Sequence, residues 1–144
     1  MTKPTPEQTE QLTHALERFT RRFKVAEATA AMDNALSALD VQTLLFVSDH
    51  KGCGLGDVAR YLQVPLTTMS SAVDRLVRKD MVLRQRPEEN RRAVALSLTE
   101  QGQGAVAGYI AGYGATCHAM LEALDPTERD EFVRLTQKIS KSEY

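Results

Sequence analysis

Leu12, Leu16, Phe19 and Phe23 recur at steps of four, three and four residues, the period of one face of an α-helix. The pattern predicts a helix over 7–28 whose other faces carry Arg18, Arg21, Arg22 and Lys24. Residues 29–39 keep no clear period, so a continuation of that helix and a short second one are both open. Asp40 reads as the N-cap of the next helix, ahead of Leu44, Leu45 and Val47, and Gly52-Cys53-Gly54 as the turn that ends it. Leu55, Val58, Ala59 and Leu62 then define a short helix over 55–62. Proline disfavours helical backbone in the residue before it, so Gln63-Val64-Pro65 marks a break.

A second helix is predicted over 66–79, with Met69, Ala72, Val73, Leu76 and Val77 on one face. Thr67, Thr68, Ser70, Ser71, Asp74, Arg75 and Arg78 cover the other. Small hydroxyls with arginine, in place of the usual glutamate and lysine, suit a surface that approaches base edges closely, although plain solvent surface would read the same way. The period then changes from helical to alternating. Residues 81–86 and 93–98 read as strands, the second turning Val94, Leu96 and Leu98 inward, and the polar segment 87–92 joins them as a hairpin.

Thr99 caps a long helix to Leu124 with an apolar stripe of Val106, Tyr109, Ile110, Tyr113, Cys117, Met120, Leu121 and Leu124. Gly104, Gly108 and Gly112 stand four apart in it, with Gly102 and Gly114 nearby. Each helical glycine costs about 1 kcal/mol relative to alanine, so the stripe predicts a closely packed second helix or, as the second choice, space for a ligand, with a simple bend of the helix as the remaining alternative. Asp125 as a cap, Pro126 at the first helical position and Glu128 three residues on open the last helix, whose stripe is Phe132, Leu135 and Ile139.

At 144 residues, with 42% hydrophobic and 26% charged residues, the chain fits one globular unit with its own core. No apolar run could span a bilayer and no secretory signal is visible at Met1-Thr2-Lys3-Pro4, which makes the expected location cytoplasmic, with no membrane partner. The net charge is −1, yet residues 75–92 hold seven basic against three acidic side chains. A local positive face on a near-neutral body suits a site-specific binder, for which the partner would be double-stranded DNA, although a solvated charged surface would carry the same charge. Cys53 and Cys117 are too few for a disulfide framework, and His50, Cys53, His118 and Asp49 form no recognisable metal-ligand set. No nucleophile–base pair or phosphate loop stands out, so neither an enzyme nor a cofactor is expected.

The order of elements, with a basic hairpin after the fourth helix and helices at both ends, resembles the MarR family of winged-helix transcription regulators. Leu55-x-x-Val58-Ala59-x-x-Leu62 looks like the first helix of its helix-turn-helix, and Met69-Ser70-x-x-Val73-Asp74-Arg75-Leu76 like its recognition helix. The run from Asn90-Arg91-Arg92 to Leu96-Ser97-Leu98-Thr99 follows the family's wing pattern, with Asn90 where the family carries aspartate, and Glu100-Gln101-Gly102 continues it. The resemblance implies a mainly α fold with a small β wing. It divides into a helix in 1–39, a winged helix-turn-helix in 40–99 and further helices in 100–144, the terminal helices forming a dimerisation region.

The resemblance also implies a homodimer on a palindromic operator, acting as a repressor with activator as the alternative, and in some relatives a small aromatic effector. The residues assigned to DNA are Thr67, Thr68, Ser70, Ser71 and Arg75 on the recognition helix, then Arg84, Arg86, Asn90, Arg91 and Arg92 around the wing. Arg92 is assigned to the minor groove. Cross-strand pairing is the alternative for Arg84 and Arg86. Leu12, Leu16, Phe19, Leu121, Phe132, Leu135 and Ile139 are assigned to dimerisation, and Phe46, Tyr109 and Tyr113 could line an effector cavity or belong to the core. A winged-helix module that binds protein, or a redox-sensing regulator acting through Cys53 or Cys117, are the competing readings.

Overall fold

The computed structural model describes residues 2–33, 35–86 and 94–142. Helix α1 (Pro6–Asp33) runs five residues beyond the sequence expectation and takes in the first part of the ambiguous stretch, residues 29–33. α2 (Ala38–Asp49), α3 (Leu55–Leu62) and α4 (Leu66–Arg78) follow, then the antiparallel pair β1 (Val82–Gln85) and β2 (Ala95–Leu98), and finally α5 (Glu100–Glu122) and α6 (Pro126–Lys141). The strands pair Val82 with Leu98 and Gln85 with Ala95.

The start of α2 differs from expectation. Ser37, not Asp40, is the N-cap: its side chain accepts from the Asp40 amide while the Asp40 carboxylate accepts from the Ser37 amide. This is a capping box, so Asp40 stands inside the first turn. α6 opens as expected, with Asp125 and Glu128 completing the same reciprocal pair and Pro126 in the first turn.

The core lies between α2, α3, α4 and the two strands. Leu44, Val58, Met69, Val73, Leu76 and Leu96 are all buried there. Thr43 is buried too, its hydroxyl donating to the Leu39 carbonyl at 2.7 Å and touching the Met69 sulfur at 3.7 Å. Leu96 faces this core as the alternation predicts, with Val94 and Leu98 half-buried against it. The turn after α2 joins the sheet: the Gly52 amide donates to the Leu96 carbonyl and the Leu96 amide to the Cys53 carbonyl, each at 2.8 Å. Gly52 adopts φ +87°, which glycine reaches without steric cost.

α5 is seated on the turn after α4. The Thr99 amide donates to the Met81 carbonyl at 3.0 Å, its hydroxyl bonds the Asp80 carbonyl at 2.5 Å, and the Gly102 amide donates to that hydroxyl at 3.0 Å. A Cβ on Gly102 would stand 2.1 Å from the Met81 carbonyl oxygen, so this glycine is required by close packing. The other four do not behave as expected. A Cβ at Gly104, Gly108, Gly112 or Gly114 would meet nothing within 4 Å, so among the described residues no helix is seated closely on the stripe.

Candidate nucleic-acid interface

Thr67, Ser71, Asp74 and Arg78 follow one another at steps of four, three and four down α4, opposite the buried row of Met69, Ala72, Val73 and Leu76. Thr67, Thr68, Ser71 and Arg78 are exposed, and Ser70 is half-buried. Pro65 precedes the helix and supplies no side-chain cap to the amides of the first turn. The helix therefore offers a hydroxyl-lined N-terminal half and, at its other end, a guanidinium on Arg78. The sequence assignment passed over Arg78. The step of seven from Ser71 was the available signal.

Arg75 is turned the other way. Its Nη2 donates to Oδ1 of Asp40 at 3.1 Å, while the Asp40 side chain keeps only 3% of its surface. Asp74 is also engaged, in an ion pair with Arg84 of β1. Arg84 therefore pairs with α4, not across the strands. Arg86 is exposed just beyond β1. Asn90, Arg91, Arg92 and Glu89 lie outside the described residues.

The three aromatic residues grouped by sequence are split. Phe46 stacks on His50 with ring centroids 4.3 Å apart and lies 4.8 Å from Tyr61, along an open groove that also includes Lys51, Cys53 and Arg60. Tyr113 instead stacks on Phe23 of α1 at 4.3 Å and shares a groove with Tyr109, Gln42 and Leu45. Tyr109 also lines a cleft of about 380 Å³ between α2 and α5, with Leu36, Leu45, Met81, Gly104 and Gly108. Phe46 borders neither of those two spaces.

Cys53 and Cys117 are both half-buried free thiols. Partial burial, then the negative charge of Asp57, push the Cys53 thiol above its ordinary pKa. Thiolate-based sensing needs the opposite shift. No group of three or more metal-binding side chains occurs among the described residues, and no helix among them is long and apolar enough to cross a membrane.

The terminal helices leave apolar side chains uncovered. Leu12, Leu16, Phe132, Leu135 and Ile139 are exposed, and Phe19 and Leu121 are half-buried. α6 buries no residue against its own chain.

Residues 36–93 match the model of the MarR family. The HTH-type transcriptional regulator YwhA of Bacillus subtilis is 22% identical over 130 residues, 90% of this chain and 93% of that protein. Among solved structures, RV1404 from Mycobacterium tuberculosis superposes with a TM-score of 0.79 at 24% identity, covering 96% of this chain and 95% of that one. A MepR variant from S. aureus, solved bound to an oligodeoxyribonucleotide, gives a TM-score of 0.68 at 18% identity, covering 92% and 98% of the two chains. The helix-turn-helix segment thus matches the MarR family model, and the fold of solved MarR regulators runs through nearly the whole chain, so the protein has a MarR-like winged-helix fold.

Proposed function

We propose that the protein represses transcription as a homodimer bound to a palindromic DNA operator, each copy laying α4 in the major groove and a wing arginine, Arg92, in the minor groove. The observation that carries this reading is the outward row of α4, where Thr67, Thr68, Ser71 and Arg78 stand exposed on a helix whose opposite face is buried. Hydroxyls and a guanidinium in that position suit phosphate oxygens and base edges. The relative solved with an oligodeoxyribonucleotide shares the fold. Such a role places the protein in the cytoplasm.

The dimer reading rests on the apolar rows of α1 and α6. Ile139 is 70% exposed and Leu12 57%, an arrangement that costs solubility unless a second copy covers it. In this reading residues 1–39 and 100–144 pair between copies, and 40–99 carry the DNA-binding unit. The α2–α5 cleft has the volume of a small-ligand site and offers the aromatic wall of Tyr109. A small aromatic effector held there would release DNA by shifting the separation of the two recognition helices.

Fluorescence anisotropy on duplexes selected from random DNA tests the reading. Thr67→Ala with Ser71→Ala is expected to weaken the preferred duplex far more than a scrambled one. Equal loss on both, or none, would contradict it.

A further inference from the structure

Arg75 and Arg78 sit one turn apart on the same helix, yet they face different partners. Arg78 is exposed on the outward row and has no carboxylate partner among the described residues. Arg75 bonds a carboxylate that is itself almost wholly enclosed. Asp40 has its other oxygen committed to the Ser37 amide at 3.0 Å, so the α2 cap and Arg75 are fastened through one side chain. A carboxylate with so little solvent needs a cationic partner, and pulling Arg75 out to meet DNA would strand it. One residue earlier, Asp74 ties the same helix to β1 through Arg84. α4 is thus fastened on two sides, to α2 and to the strand that leads into the wing.

We propose that Arg75 is a positioning residue: its bond to Asp40 sets the angle of the recognition helix on α2, and Arg78 is the guanidinium that meets the DNA backbone. This rests on the DNA-binding reading above. The two roles for Arg75 predict opposite signs for one substitution. Asp40→Asn keeps an oxygen for the Ser37 amide but removes the charge that holds Arg75. If Arg75 served DNA directly, freeing it would leave binding unchanged or tighten it.

The test measures operator affinity across a salt series for the full-length protein and its variants, with thermal melts run beside it. Asp40→Asn and Arg75→Gln are each expected to weaken binding by about tenfold, and the double variant no further than Arg75→Gln alone, as coupled residues do. Arg75→Gln should leave the slope of log K against log salt unchanged, whereas Arg78→Gln should reduce it by ~0.9, the loss of one phosphate contact. A reduced slope in Arg75→Gln, or wild-type or tighter binding by Asp40→Asn, overturns the inference. Should Asp40→Asn fail to fold, the slopes of the two arginine variants decide alone. A wild-type protein that prefers no duplex sequence would sink the DNA-binding reading itself, and the positioning role with it.

Discussion

From α2 to β2 the large apolar side chains close on one another: Leu44, Met69, Leu76 and Leu96 keep 2% of their surface or less. In α6 the same residue types remain open, with Leu135 at 44% and Ile139 at 70%. α6 is richer in charge than the core helices, yet its apolar row is left uncovered. The difference lies in how many elements converge. α2, α3, α4 and the strands meet from several directions within about sixty residues, so each apolar row finds a facing row. α6 touches its own chain chiefly at its start, where Arg129 Nε donates to the Leu121 carbonyl at 2.8 Å. One region is a completed core, and the other has the character of half of one.

The sharpest way to break that contrast is to open the core. Leu76→Ala removes a side chain with no exposed surface and is expected to destabilise the fold by about 2–5 kcal/mol in chemical denaturation, at any protein concentration. Gly102→Ala should cost less, about 1–3 kcal/mol, because the new methyl forces α5 away from the Met81 carbonyl. Substitutions on α6 should behave differently. Leu135→Ser with Ile139→Ser is expected to change the stability of a single chain by no more than about 0.5 kcal/mol, as surface changes do, while abolishing the concentration dependence of the melting temperature. A melt equally insensitive to concentration in the wild type would remove the idea that α6 is half an interface.

The smallest effect concerns Cys53. Its raised pKa means less thiolate than an ordinary cysteine has at a given pH, so alkylation by iodoacetamide should be slow near pH 8 and rise only at higher pH. Asp57→Asn removes one of the two causes and should shift that rise to lower pH. Because the shift disfavours the charged form, any stability linked to it is held at lower pH and lost as pH climbs past the ordinary thiol range. Fast alkylation at neutral pH would contradict this.

The elements that were legible in the sequence are those whose signals are local. The buried row of α4, the cap of α6 and the inward face of β2 each declare themselves within a few residues. Ser37 was overlooked because Asp40, three residues later, is an equally good cap by type. Only the reciprocal bond between them decides which residue stands outside the helix. The turning inward of Arg75 was not legible, since its partner lies 35 residues earlier and is brought near only by the packing of α2 on α4. The close helix expected on the α5 glycines is not found for a related reason: spacing says that a face is smooth, not what lies against it, and Gly104 and Gly108 border a cleft instead. Phe46 and Tyr109 are both apolar aromatics on neighbouring helices, and only tertiary placement assigns them to separate spaces.

The central claim is that two copies present their α4 helices to one symmetric stretch of duplex. Selection of bound fragments from random double-stranded DNA, with the stoichiometry of the enriched complex measured by sedimentation, tests it directly. The account predicts an inverted repeat whose half-sites are centred ~10 bp apart or a multiple of that, holding two chains per duplex. Enrichment of no sequence, or of an asymmetric site occupied by one chain, would contradict it.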